Sequence, residues 1–310
     1  MTRILVTGAA GFVGSHVVPA LLEAGHDVVG LVRREDDAGR VVDRLRPDQR
    51  ARVAVAAGDV TDRETLAPAM DGVDTVVHLA AIPRDWDGGA SLRLVNTEGT
   101  RNVVVAAQEA GVRRFVHLGA MGVADEPDLH YSSSKARAIS IVRDSSLAWT
   151  VLSPSVLYGP RDGFFNILAG LVRYSPLITP LTGGGDARFQ PLAIGDFART
   201  VVASLADDGT VGREYALGGP RYWTYREMVE EVCRAMGARR FLVPVPVPLI
   251  RLVAGAAEAV RLPFPASTDQ LRQLRLDNTG PLDGVRSGFG FDPQPMEGNL
   301  GYLRRRLADQ

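Results

Sequence analysis

Lysine is nearly absent from this 310-residue chain: among 35 Lys and Arg residues, Lys135 is the single lysine in an arginine background. Cysteine is equally scarce, and with Cys233 alone no disulfide can form within the chain. No run reaches the ~20 apolar residues that a membrane span needs. Neither sign of charge dominates, the formal net charge being -1. These shortages exclude a disulfide scaffold, a membrane-spanning protein and a general affinity for nucleic acid or anionic membrane. The opening residues Met1 to Gly8 run straight into a strand and a glycine turn. That leaves no room for a signal peptide, so a cytoplasmic, reducing setting is expected. In that setting Cys233, within a helical pattern from Met228 to Met236, reads as a core filler.

What is present is alternation. Short β-rich apolar runs at Ile4–Thr7, His26–Val32, Val53–Ala57, Thr75–Leu79, Arg114–Leu118 and Trp149–Ser153 are separated by helical patterns. Those patterns fall near Gly11–Ala24, Thr61–Met70, Asn96–Ala110 and Tyr131–Asp144. Alternation of this kind predicts an α/β fold, a Rossmann-type doubly wound parallel sheet with helices on both faces. After Ser153 prolines and glycines cluster, and a helix at Ile194–Ala206 returns to the first domain. The expected division is a dinucleotide-binding domain over 1–160, with a returning segment near 186–210. Residues 161–310 form most of a smaller, interleaved substrate lobe. An apolar helix is expected over Pro246–Pro263, packed on that lobe in preference to a membrane surface.

The first chemical motif is Gly8-Ala9-Ala10-Gly11-Phe12-Val13-Gly14, set between a strand and a helix. Its glycines permit a tight turn and close backbone approach to a pyrophosphate, and the helix start adds positive potential. Gly8, Ala10, Gly11, Phe12 and Val13 are therefore candidate cofactor contacts. The second strand ends in Val32-Arg33-Arg34, where a chain favouring NAD carries an acid. Two guanidinium groups suit the 2′-phosphate of NADPH, which is expected over NADH. Further along, Asp59 and Val60 follow the third strand, with capping of the next turn as the alternative role for Asp59. Leu79, Ala80 and Ala81 end the fourth, and Asn96 opens the next long helix; all are candidates for the cofactor site, Asn96 also as a bridge between the active-site helix and a water. Tyr131 and Lys135 share one helix face at i and i+4. An ammonium beside a phenol lowers its pKa, and three compact donors can hold the nicotinamide ribose, which arginine's fork cannot. That accounts for the lone lysine.

These pieces resemble the short-chain dehydrogenase/reductase superfamily over nearly the whole chain. The Thr7-Gly-x-x-Gly-x-x-Gly spacing, Asp59-Val60, Leu79-Ala80-Ala81, Asn96 and Tyr131-x-x-x-Lys135 are similar to the extended type. The run Trp149 to Gly159, Gly183-Gly-Gly and Arg188-Phe-Gln-Pro191 are similar to the atypical branch, which includes an accessory subunit of respiratory complex I. The resemblance implies an NADP(H)-binding domain, Tyr131 as proton donor, and Pro154, Ser155 and Val156 along the nicotinamide carboxamide. It breaks at the end of the fifth strand, where a Ser or Thr is usual and this chain reads Gly119-Ala120-Met121. Ser132, Ser133 and His117 are conceivable surrogates.

Three functions fit. The leading one is reduction of a ketone, quinone or enone by NADPH, with no metal expected. A bulky, apolar carbonyl substrate is expected against Trp86, Ala120, Met121, Phe165 and Arg188, with Phe164, Tyr174 and Phe189 as further aromatic candidates. A non-catalytic NADP(H)-binding sensor or assembly protein accommodates the missing hydroxyl. A sugar-nucleotide epimerase or dehydratase is disfavoured by Val32 and by Gly119-Ala120. By analogy of fold, a homodimer through the helices near 96–110 and 131–144 is possible.

Overall fold

The computed structural model describes residues 2–85, 87–174, 177–182, 185–245 and 277–305. The chain divides into two compact units. The first comprises Met1–Pro83, Asp87–Ser153 and Gly195–Tyr215; the second comprises Arg84–Trp86, Pro154–Ile194 and Ala216–Gln310.

A seven-stranded sheet organises the first unit. Its strands are β1 (Arg3–Thr7), β2 (Asp27–Val32), β3 (Val53–Ala57), β4 (Thr75–His78), β5 (Arg114–Leu118), β6 (Ala148–Pro154) and β7 (Arg213–Leu217). Their spatial order is β7-β6-β5-β4-β1-β2-β3, and the pairs from β3 across to β6 are parallel. The chain runs outward from β1 through β3, then returns to β4 and runs the other way. β1 and β4 are thus neighbours whose following loops diverge, the crevice where doubly wound sheets take their ligands.

Helices α1 (Gly14–Glu23), α2 (Gly99–Glu109), α3 (His130–Arg143) and α4 (Ile194–Ala206) supply the main helical cover. Strand residues Leu5, Val76, Phe115 and Val151 bury against Val103, Ala107, Ile139 and Val142 of α2 and α3. Two expected helices differ. The pattern at Thr61–Met70 resolves into two short 3-10 turns, Arg63–Thr65 and Ala67–Met70, with Pro68 at the start of the second. The helix expected from Asn96 begins as a widened π-turn, Arg93–Glu98, before regular α2. Such a turn adds a residue to the helix and turns neighbouring side chains to one side, here Asn96 and Thr97, both buried.

In the second unit a helix at Phe165–Tyr174 packs on one at Tyr225–Ala235. Asp162 caps the former, its Oδ1 accepting the amides of Phe164, Phe165 and Asn166 at 3.0, 2.6 and 3.2 Å. Thr224 and Glu227 form a capping box on the latter. Cys233 is buried in that helix's core face, as a filler would be. The apolar segment at 246–263 lies outside the described residues.

Glycine at position 14 is a steric requirement. A Cβ there would lie 2.4 Å from the Gly8 carbonyl oxygen and 2.6 Å from the Ala9 Cα. A Cβ at Gly170, inside the Phe165–Tyr174 helix, would meet nothing within 4 Å. Gly14→Ala should therefore cost on the order of 1–3 kcal/mol of stability. Gly170→Ala should add up to about 1 kcal/mol through helix propensity. Thermal unfolding of the two variants checks both signs.

Candidate functional site

At the β1–β4 crevice the glycine turn and the end of β4 are pressed together. Gly8 has φ +71°, and a Cβ there would lie 2.9 Å from the Ala80 nitrogen. Only glycine allows both the backbone angle and the approach. The Gly11 amide donates to the Gly8 carbonyl at 3.0 Å, closing the turn, and Gly11 is exposed while Ala10, Phe12 and Val13 are half-buried.

Beneath this turn lies a hydrogen-bonded chain that sequence reading missed. The Thr100 hydroxyl donates to the Asn96 carbonyl at 2.6 Å, so it must accept from His78 Nε2 at 3.0 Å. The His78 Nδ1 is then bare and accepts the Thr7 hydroxyl at 2.7 Å. Thr7 Oγ1 in turn accepts the amides of Leu79 and Ala80, each at 3.2 Å. This pattern requires a neutral ring. Burial, with Lys135 nearby, lowers the His78 pKa to about 3. His117 stacks on it at 5.3 Å from the adjacent strand and is also held neutral, by burial first and then by Lys135 and His78. Both His117 ring nitrogens are buried without a hydrogen-bond partner.

Tyr131 and Lys135 sit one turn apart on α3, as expected. Lys135 is buried, and its Nζ donates to the Leu118 carbonyl at the end of β5. Their electrostatics correct the expectation. Burial pushes the Tyr131 phenol up to about 12 and draws the Lys135 ammonium down to about 7. Desolvation therefore outweighs any lowering of the phenol by the ammonium.

Asn96 reaches the helix that bears Tyr131 and Lys135, as a bridge would, but its partners are all protein. Its Oδ1 accepts the Ile82 amide at 2.8 Å, and its Nδ2 donates to the Ile82 carbonyl and to Ser134 Oγ, both at 3.0 Å. Thr97 donates to the Ser134 carbonyl at 3.0 Å. The π-turn thus clamps the loop after β4 to the helix bearing Tyr131 and Lys135. The Asn96 amide is spent on protein rather than on a cofactor.

Of the three surrogates for the absent hydroxyl, Ser132 and Ser133 are engaged elsewhere, and His117 alone is not. Ser132 Oγ donates to the Ala124 carbonyl at 2.8 Å, and Ser133 Oγ donates to the Glu126 carbonyl. Gly119 has a steric reason: a Cβ there would lie 2.3 Å from Ser153 Oγ, which donates to Glu214 Oε1 at 3.0 Å. Ala120 is half-buried and Met121 is buried.

Around the second strand's end, Val32 is buried and Arg33 is exposed, with no partner among the described residues. Arg34 makes an exposed pair with Asp36 at 3.4 Å, which contributes little. Asp59 Oδ1 accepts both the amide and the hydroxyl of Thr61 at 2.8 Å, the turn-capping alternative. Val60 packs beside Gly99. Leu79 is buried, Ala80 half-buried and Ala81 exposed.

The other candidates fall in the second unit. Ser155 Oγ donates to Asn278 and accepts the Gln190 amide at 3.1 Å, and Pro154 is buried beside it. The Val156 carbonyl accepts the Leu192 amide. Phe165 is fully buried in that unit's core, so it is packing rather than an open contact surface. Arg188 is held by Asp277 at 2.6 Å. Trp86 lies outside the described residues. A groove of about 920 Å³ runs over α2 and α3, with Val105, Ala136 and Ile141 among its walls; neither Tyr131 nor Lys135 lines it.

A family model described as NAD(P)H-binding matches residues 8–169, just over half the chain and the whole glycine-turn region. This chain belongs to the NAD(P)H-binding family. The resemblance to extended and atypical short-chain dehydrogenases/reductases holds with it. A 3 beta-hydroxysteroid dehydrogenase/Delta 5-->4-isomerase of Mycobacterium tuberculosis is 30% identical, over 94% of this chain and 86% of that protein. Subunit 9 of the NADH dehydrogenase [ubiquinone] 1 alpha subcomplex, mitochondrial, of Arabidopsis thaliana is 27% identical, over 94% and 73%. Among solved structures, a UDP-glucuronic acid 4-epimerase from Bacillus cereus, in complex with UDP-glucuronic acid and NAD, superposes with a TM-score of 0.75. It is 18% identical over 99% of both chains, a likeness of fold alone.

The neutral imidazoles set a pH dependence. Unfolded histidine takes up a proton near 6.5, whereas native His78 resists to about 3. Stability from this group is full above pH 6.5 and is lost as pH falls toward 3. His117→Phe keeps an aromatic ring and removes one such group, so its stability should fall less steeply with acid in thermal melts across that window. Gly119→Ser should destabilise through Ser153, whereas the same clash is absent at Ala120→Ser; comparing their melting temperatures tests this.

Proposed function

We propose that this member of the NAD(P)H-binding oxidoreductase family is an NADPH-dependent reductase acting on a ketone, quinone or enone. Tyr131 protonates the substrate oxygen and Lys135 holds the nicotinamide ribose. The observation that carries the reading is the chain's only lysine, buried against the Leu118 carbonyl one turn beyond Tyr131.

The residues present fit a dinucleotide. The turn at Gly8–Gly14 leaves an exposed Gly11 without a side chain at the start of α1, and the Arg33 guanidinium is uncommitted among the described residues. Gly8, Gly11, Phe12 and Val13 would hold the pyrophosphate, and Arg33 the 2′-phosphate. The dinucleotide supplies the hydride when bound. Lys135 keeps one donor on Leu118 and has two left for ribose hydroxyls. A phenol near 12 keeps its proton throughout the neutral range, which suits a donor in reduction better than a base in oxidation. A bulky, apolar substrate accords with the steroid in the mycobacterial relative's name. A homodimer would seat its second copy in the groove over α2 and α3.

A second reading, a non-catalytic NADP(H)-binding sensor or assembly protein, is favoured by one observation. Gly119 and Ala120 lack a hydroxyl, and those of Ser132 and Ser133 are donated elsewhere.

Fluorescence titration with NADPH and NADH, followed by a panel of aromatic ketones and quinones, separates the readings. Tight binding without turnover across the panel favours the second. Tyr131→Phe should bind NADPH normally and lose roughly 10²–10⁴ in turnover; retained turnover overturns its role. Arg33→Ala should weaken NADPH about 10-fold or more and NADH little. Equal losses overturn the 2′-phosphate assignment.

A further inference from the structure

Five of the large apolar side chains exposed in the described structure gather on one part of the second unit. Tyr174 ends the Phe165–Tyr174 helix and is 84% exposed; Leu177 and Phe241 are 68% and 76% exposed. Ile178 and Val243 complete the group. They are adjacent because strand Ile178–Thr182 pairs in parallel with Phe241–Val245, with Phe241 opposite Ile178. The Phe241 amide donates to the Leu177 carbonyl at 2.9 Å. On the inner side of the same strand Thr179 and Leu181 are buried.

The described stretches that carry these side chains hold no acid: residues 163–174, 177–182 and 237–245 contain no Asp or Glu. Their charges are Arg173, Arg239 and Arg240. In the described part, Arg173 and Arg240 donate to backbone carbonyls, and Arg239 is exposed with no partner among the described residues. Exposed aromatic and branched side chains on stretches that carry arginine and no carboxylate match one environment closely. At the interface of an anionic bilayer the rings sit at headgroup level and the guanidinium groups meet lipid phosphate. The net charge of -1 gives no overall attraction, so the attraction must be local to this patch. No helix of the described residues is long and apolar enough to cross a membrane, so the contact is peripheral.

We propose that the patch built from Tyr174, Leu177, Ile178, Phe241 and Val243, with Arg239 at its rim, docks on an anionic lipid bilayer. The proposal does not depend on the reductase reading.

The test is sedimentation of the full chain with phosphatidylcholine vesicles, with and without phosphatidylglycerol. Binding should require phosphatidylglycerol and weaken as salt rises. Leu177→Ser with Phe241→Ser, and separately the exposed Arg239→Glu, should each reduce binding about 10-fold. Their melting temperatures and NADPH titrations should match the parent chain. Absence of binding to anionic vesicles, or equal binding by both variants, overturns the proposal. So does self-association without vesicle binding that the Leu177/Phe241 substitutions abolish, since a second copy would then cover the patch.

Discussion

Thr7, His78 and Thr100 connect β1, β4 and α2 through one imidazole, and the connection exists only while that ring is neutral. Protonation would place a hydrogen on Nδ1, where Thr7 now donates, and Thr7 Oγ1, already accepting two amides, would have to give one up to accept it. The amides of Leu79 and Ala80 depend on the same Thr7 oxygen, so the edge facing Gly8 would lose its anchor. A crevice in which backbone meets backbone at the limit of contact cannot absorb such a shift by moving a side chain. The close approach of Gly8 to Ala80 and the neutrality of a buried ring are therefore one constraint seen from two sides.

The same low-polarity surroundings explain the choice of cation. Arg114, half-buried, reaches four oxygen acceptors: the Ala148 and Ser204 carbonyls and the hydroxyls of Thr150 and Thr210. A guanidinium cannot shed its charge, so burial demands a full set of partners. Lys135 has one among the described residues, and its pKa falls to about 7. An ammonium can occupy a site with spare donors because it can also be neutral there. Arginine-rich composition makes this position stand out, and the structure supplies a reason beyond shape.

Much of this was legible from local pattern. Strand ends, the glycine turn and the helix bearing Tyr131 and Lys135 follow from periodicity and turn chemistry, which act over a few residues. The Rossmann-type sheet and the NAD(P)H-binding family agree with those motifs. What stayed hidden depends on partners far apart in the chain. His78 looks like an odd polar residue in a strand until Thr7, 71 positions earlier, is set beside it. Local pattern marks Asn96 as a bridge to the next helix or a cofactor contact, and nothing local reveals that Ile82 and Ser134 consume its amide. Sequence spacing presents the phenol and ammonium as a pair, whereas burial governs each of them in the fold. At 61–70 a proline and two short turns replaced a helix that periodicity alone allowed.

Gly119 and Ser153 share one volume from neighbouring strands, and this gives the chain a mutational order. A side chain just past β5 is eased by loss of the hydroxyl on β6, which removes the 2.3 Å contact and leaves Val151 Cγ1 at 3.0 Å to give way. Removing Ser153 first leaves Glu214 with Arg143 as its remaining side-chain partner among the described residues, at a site already half open to water. The route from this chain to one with a residue at 119 therefore passes through position 153. The two sites should be exchanged as a pair wherever this sheet is redesigned or drifts.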